Sequence, residues 1–149
     1  IPPEKIGDFA KEKGIKTVID LRIGNVQDKL NPAKQADIDA EGEALAKVDG
    51  VNHVSIPSLQ IPEDATVDKF VEVLKDSSNY PVLIHCYHGT GRAVLFSALY
   101  RIEFEDFTNE EARKNTRFPL IFSNFSKNSK KGKYLRNYKK RENSKDSIH

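Results

Sequence analysis

Apolar positions along the chain recur at two different periods, and the switches between them mark the elements. Ile6, Phe9 and Ala10 share one face of a helical stretch over residues 3–13, opened by Pro2 and Pro3 and closed by Gly14. Residues 17–21 are apolar and β-branched and read as a strand, while 23–33, with Gly24, Asn25, Asn31 and Pro32, read as a loop. A helix over 33–47 and a strand over 52–56 follow, then a loop over 57–64 with two prolines. Val67, Phe70, Val71 and Leu74, at i, i+3, i+4 and i+7, predict a helix over 65–75. Residues 81–85 form a near-continuous apolar strand of the kind buried on both faces. After it, Val94, Leu95, Ala98, Leu99 and Ile102 mark a buried helix, and Thr108 with Glu111 has the spacing of a capping box. Residues 118–125 are aromatic-rich and expected to pack on the body, and a last basic helix is expected over 133–141. Strands alternate with helices throughout, which predicts an α/β fold: a central, mostly parallel sheet flanked by helices, in one domain over 1–149.

Composition narrows the class. The chain has 149 residues, 38% of them apolar, enough for one domain with a real core. No apolar run approaches the roughly 18 residues of a membrane span. The one Cys rules out an internal disulfide and a multi-thiolate metal site. There is no Met, so residues are expected to precede Ile1, and a targeting segment would lie there. The net charge of +2 conceals a split: residues 127–149 carry nine Lys and Arg against two acids, and the rest of the chain is mildly acidic. The basic stretch is either a solvated terminal helix and tail or a docking strip for an anionic partner. Only Tyr134 and Tyr138 accompany it as aromatics, so nucleic acid is not expected as a partner.

The segment with chemistry in it is His85-Cys86-Tyr87-His88-Gly89-Thr90-Gly91-Arg92, from the end of the apolar strand over 81–85 to the start of the buried helix. Cys86 stands where a strand ends and a helix N-terminus is about to begin. There the helix dipole and unpaired backbone N–H groups favour negative charge, and a thiol is expected to ionise near neutral pH. Gly89 and Gly91 let the backbone curl so that successive N–H groups converge on an anion. Arg92 offers a planar fork that matches phosphate oxygens. The product is a phosphate cradle with a nucleophile at its base.

This Cys-x5-Arg block, with the preceding His85 and the glycine three residues after Cys86, resembles the signature of cysteine-dependent phosphatases. With residues 14–22 and 81–86 added, the chain looks like the compact dual-specificity protein tyrosine phosphatases of bacteria and the atypical ones of plants and fungi. The resemblance implies a protein tyrosine phosphatase-like fold and hydrolysis of phosphate monoesters through a phosphocysteine intermediate. It makes Cys86 the nucleophile, and Arg92 with Tyr87, His88, Gly89, Thr90 and Gly91 the phosphate-binding set. His85 would hold the loop and help set the thiolate. No metal or other cofactor is implied. The partner would be a phosphorylated protein or a small phosphorylated molecule. A cytoplasmic location is expected, with a periplasmic protein that has lost an N-terminal anchor as the alternative.

Two positions depart from the family pattern. Ala93 stands where relatives have Ser or Thr, and the neighbourhood that usually supplies an Asp general acid reads Ser55-Ile56-Pro57-Ser58-Leu59-Gln60, with no acid. The nearest carboxylates are Glu63 and Asp64. Asp64 is the candidate catalytic acid with Glu63 as its rival, against the alternative that Asp64 caps the following helix. The side chains of Tyr87 and His88 either contact substrate beyond its phosphate or contribute backbone alone. Asp20 and Arg22 are expected to form a buried pair at a strand end, and His53 and His149 to be surface or packing residues. The competing functions are a phosphate-binding pseudophosphatase without turnover and a rhodanese-like sulfurtransferase. An arsenate reductase would need further cysteines to cycle.

Overall fold

The structure is a computed structural model that describes residues 3–24, 34–86, 91–118, 121–123 and 125–141. Two compact units divide the chain, Ile1–Gly89 and Thr90–His149. The first runs α1 (Pro3–Lys13), β1 (Thr17–Asp20), α2 (Gln35–Ala46), β2 (Asn52–Ser55), α3 (Asp64–Lys75), one 3-10 turn (Ser77–Asn79) and β3 (Val82–His85). The strands form a parallel sheet in the order β2-β1-β3, with Asp20 opposite both Ser55 and His85. The α/β class expected from the alternation is therefore the observed one. The most buried strand is not the expected one. β1 is buried at every position and β3 is only half-buried. β1 has a strand on each side, whereas β3 pairs with β1 alone among the described strands.

Strand parity decides what each sheet face carries. Val18 and Asp20 point to one face, as do their register neighbours His53, Leu83 and His85. Val18 packs there with Ile6, Ala10, Ile15 and Leu45 in a core cluster, flanked by Phe9, Ala44, Val51 and Leu83. α1 and α2 thus cover this face. Burying each of the larger apolar side chains contributes about 1.5–3 kcal/mol. α1 ends because Gly14 takes φ +67, a conformation that a side chain disfavours. Gly14 N then donates to Lys11 O at 3.3 Å and Ile15 N to Ala10 O at 2.8 Å, closing a Schellman cap. α3 buries Val67, Phe70, Val71 and Leu74, the stripe its periodicity predicted.

The second unit holds α4 (Gly91–Phe104), α5 (Asn109–Asn115), the antiparallel pair β4 (Thr116–Phe118) and β5 (Ile121–Ser123), and α6 (Lys130–Asn137). α4 is buried along most of its length, including Val94, Leu95, Ala98, Leu99 and Ile102. The capping box of α5 is reciprocal: Glu111 N donates to Thr108 Oγ1 and Thr108 N to Glu111 Oε1, each at 3.1 Å. The aromatic stretch around 118–125 contains a hairpin that its pattern did not announce, although Thr116, Phe118, Ile121 and Phe122 are strand-favouring residues. The last helix lies earlier than expected. Ser129 caps it by accepting from Gly132 N at 3.0 Å, and the chain leaves helical geometry at Tyr138. Tyr138 then donates to the buried Glu103 at 2.6 Å, and Arg141 N donates to the same oxygen at 2.9 Å. Among the described residues no helix is long and apolar enough to cross a membrane.

Candidate active site

The C-terminal ends of parallel strands converge on one sheet edge, the usual place for a ligand in such folds. Here the register brings Asp20, Ser55 and His85 to that edge. The chain continues the pairing beyond the strands: Leu21 N donates to His85 O at 2.8 Å, Ile56 N to Asp20 O at 2.9 Å and Ser58 N to Leu21 O at 3.1 Å. Cys86 follows His85 directly. It is a free thiol, 2% exposed. Gly91 is the first residue of α4 and Arg92 the second, with Arg92 also buried. As expected, a strand ends at His85 and a helix begins at Gly91, while Tyr87, His88, Gly89 and Thr90, named as phosphate-binding residues, lie outside the described residues.

Immediately before Cys86 lies a buried charge cluster. Arg22 grips Asp20 with two arms, Nε to Oδ1 at 2.9 Å and Nη2 to Oδ2 at 2.7 Å, the buried pair that the sequence led us to expect. Three residues join it. His53 Nε2 lies 3.1 Å from Asp20 Oδ2 and 3.2 Å from Glu41 Oε2. Arg22 Nη2 reaches the same Glu41 oxygen at 3.3 Å, and His85 Nε2 lies 3.0 Å from Glu41 Oε1. The expectation that His53 is a surface or packing residue without a partner is thus wrong. The β1–β2 register sets it diagonally across from Asp20 on the same face, within reach of two carboxylates.

Electrostatics follow from the geometry. Burial pushes the Asp20 carboxyl up, but hydrogen bonds from His53 and Arg22 outweigh it and hold Asp20 well below the usual carboxylate range. Glu41 behaves alike: burial raises it, and the contacts from His53 and His85 bring it below its ordinary value. The hydrogen bonds of His53 to Asp20 and then Glu41 push its imidazole up to about 9, against the smaller opposing effect of burial. Near neutral pH, Arg22 and protonated His53 therefore balance the two carboxylates. Asp20, Glu41 and His85 also present ligand atoms within 4.8 Å of one another. The positive charge that a metal ion would bring is already supplied there by Arg22 and His53.

Glu41 was not singled out from the sequence, although a signal for it existed. Ile38, Glu41 and Leu45 are the buried residues of α2, so the glutamate occupies a position in the apolar stripe. A charged residue in such a stripe calls for buried partners.

The candidate acids stand on the connection that leaves the same edge after β2. Both Glu63 and Asp64 are exposed at the entry to α3. The N-cap position belongs to Glu63, whose side chain makes no capping hydrogen bond, and Asp64 is the first helical residue. The capping alternative for Asp64 thus falls one position off.

Comparison with known proteins agrees with this frame. No curated protein matches the chain. Among solved structures, P. aeruginosa TpbA aligns over 93% of this chain and 77% of its own with TM-score 0.63 at 22% identity, a likeness of fold. A DUF442 protein from Shewanella putrefaciens CN-32 is 27% identical over 68% of this chain, with TM-score 0.52; the chain spans 59% of that protein's length. A cysteine-to-serine variant of TpbA, solved in complex with phosphotyrosine, is 25% identical over 75% of this chain and 60% of its own, with TM-score 0.52. The family model that matches, over residues 8–140, is that of the DSP-PTPase phosphatase fused to NAD+ kinase. That span takes in β1, the charge cluster, Cys86 and Arg92 alike, and the chain belongs to this family of cysteine-dependent phosphatases.

Proposed function

We propose that the chain, as one domain over 1–149, hydrolyses phosphotyrosine or dual-specificity phosphate monoesters, with Cys86 as nucleophile and Arg92 as the clamp on the phosphoryl oxygens. The observation that carries this reading is the position of the lone cysteine. Cys86 directly follows β3 at the C-terminal edge of a parallel sheet, with five residues between it and Arg92 at the α4 N-terminus. The thiolate sulfur attacks phosphorus, the substrate oxygen leaves with a proton from Asp64 or Glu63, and water then releases phosphate from phosphocysteine. The backbone of residues 87–91 and the Arg92 fork neutralise the equatorial oxygens, a task for directed donors rather than for a point charge. The TpbA complex with phosphotyrosine supports a phosphorylated aromatic substrate. A cytoplasmic setting fits the lone thiol, because it stays reduced there.

The test is turnover of p-nitrophenyl phosphate by the wild type beside Cys86→Ser and Arg92→Lys. The serine variant is expected to lose hydrolysis while still binding inorganic phosphate, and Arg92→Lys to lose about a hundredfold or more in kcat. Iodoacetate should inactivate the wild type, with phosphate protecting. Hydrolysis retained by Cys86→Ser would end the covalent reading. Phosphate binding by a wild type that never turns over would favour the pseudophosphatase.

A further inference from the structure

Charge in the second unit is unevenly matched. Residues 127–141 hold eight Lys and Arg and no acid. The five acids among the unit's described residues are all engaged: Glu103 by Tyr138, Glu105 by Arg101, Asp106 by Lys140, Glu110 by Arg113 and Glu111 by the Thr108 backbone. Lys127, Lys130, Lys133 and Lys139 are exposed, and none of the four has an ion-pair partner among the described residues. We propose that this lysine strip, along and beside α6, is a docking surface for an acidic polypeptide segment that flanks the phosphorylated residue of the substrate. This rests on the phosphatase reading and adds the substrate class to it.

The charge is kept against the local stability of the helix. Lys130 and Lys131 open α6, where the helix dipole disfavours cations, and no acid accompanies them in that turn. Lys130 with Lys133, and Lys133 with Arg136, place like charges three residues apart on one helix surface. A solvated helix gains from mixed signs, so a surplus that works against folding points to a role outside the fold. The strip is also pinned rather than frayed. Ser129 caps the start of α6 through Gly132 N at 3.0 Å. At its end Leu135 is buried, Tyr138 donates to Glu103 at 2.6 Å, and Asn109 Nδ2 donates to Tyr138 O at 2.6 Å.

The chemistry of the strip favours carboxylates. Arginine forks suit phosphate, but Arg136 lies 3.9 Å from Glu110 and Arg141 stacks over the Tyr138 ring at 5.0 Å. The unpaired cations are lysines, point charges that meet a carboxylate in any orientation. A helix that lies on a bilayer turns apolar side chains outward, whereas Leu135 and Tyr138 are buried in this unit. A nucleic-acid surface would expose aromatic rings, and Tyr134 is half-buried. Distance sets where the acids must lie. Tyr138 meets Glu103, eleven residues along α4 from Arg92, or about 16 Å at the helical rise. An extended peptide spans that in about five residues. Acidic residues five or more positions from the phosphorylated one therefore reach the strip.

The experiment uses the full chain and two phosphotyrosine peptides of equal length. One carries a run of Glu beginning six residues from the phosphotyrosine, and the other carries Gln at those positions. The wild type is expected to prefer the Glu peptide about tenfold in kcat/KM at low salt, through KM, and to lose the preference in roughly 0.5 M salt. Changing Lys127, Lys130, Lys133 and Lys139 to Gln together should abolish the preference while p-nitrophenyl phosphate turnover and the Gln peptide are unaffected. The same variant should melt no earlier than the wild type, since it loses like-charge repulsion. If the fourfold variant does not fold, Lys130→Gln with Lys133→Gln should halve the preference or more. Equal kcat/KM for the two peptides on the wild type would overturn the proposal. So would lysine-dependent retention on phosphatidylserine vesicles by a protein that does not distinguish the peptides, which would make the strip a membrane contact. Failure of the phosphatase reading looks different: no phosphorylated substrate is turned over, yet anisotropy of a fluorescent, unphosphorylated Glu peptide still reports whether the strip binds it.

Discussion

His53 Nε2 sits 3.1 Å from Asp20 Oδ2, and the same nitrogen faces Glu41 at 3.2 Å. One N–H shared between two buried carboxylates keeps the ring charged, which is why the imidazole rises from its ordinary 6.5 to about 9. A raised folded value fixes the sign of the pH dependence. The contribution of His53 to stability is complete below about pH 6.5 and is lost as pH rises through about 9. Urea unfolding followed from neutral to alkaline pH should show the wild type losing on the order of 1–3 kcal/mol over that window. His53→Gln should start lower and decline less. Parallel curves for the two proteins would mean that His53 is neutral in the folded state.

The same cluster shows where the sequence was legible and where it was not. Local signals sufficed for elements set by short-range chemistry: the Schellman cap at Gly14, the stripe of α3 and the reciprocal box of Thr108 and Glu111. The Asp20–Arg22 pair was also readable, because two residues of opposite charge lie two positions apart at a strand end. The partnership of His53 with Asp20 was not. It depends on the β1–β2 register, a non-local fact, and on α2 bringing Glu41 over that face. The β4–β5 hairpin was missed because its strands are three residues each, too short to display a period. The end of α6 was misplaced because Tyr138 leaves the helix to reach Glu103, thirty-five positions earlier in the chain.

That contact yields a second prediction. The Tyr138 hydroxyl donates to Glu103 Oε2 at 2.6 Å in a buried setting, and burial together with the carboxylate raises the phenol well above its ordinary value. Tyr138→Phe removes a donor from a buried carboxylate and should cost about 1–3 kcal/mol. Glu103→Gln keeps an acceptor for the hydroxyl and should cost less. Thermal melts of the two variants check this. A Tyr138→Phe melt equal to that of the wild type would show that the hydroxyl does not anchor the chain after α6.

A third prediction separates the two candidate acids. Protonation of the leaving oxygen matters for phenyl phosphate and much less for p-nitrophenyl phosphate, whose leaving group is stable as an anion. Changing the true acid, by Asp64→Asn or Glu63→Gln, should lower kcat for phenyl phosphate by about a hundredfold and spare the nitrophenyl ester. Because Asp64 lies in the first turn of α3, Asp64→Asn should also cost about 0.3–1 kcal/mol through the helix dipole. An equal loss on both substrates would trace the effect to the α3 entry rather than to proton transfer.

The last prediction concerns Ala93. The position after the signature arginine carries a hydroxyl in related phosphatases, which donates to the cysteine thiolate as it leaves phosphocysteine. Here the side chain is a methyl group, fully buried in the first turn of α4, and its backbone oxygen accepts from Ser97 Oγ at 2.9 Å. A charge-assisted hydrogen bond of that kind is worth about 1.5–3 kcal/mol, or roughly ten- to a hundredfold in rate. Without it, breakdown of phosphocysteine should limit turnover. Rapid mixing with p-nitrophenyl phosphate should release a burst of about one equivalent of nitrophenol before a slower steady state. Ala93→Ser should raise the steady rate and shrink the burst. It should leave kcat/KM nearly unchanged, because that ratio reports only the steps up to the first irreversible one. A wild type without a burst, beside a serine variant no faster, would show that another donor already stabilises the departing thiolate and that Ala93 carries no kinetic cost.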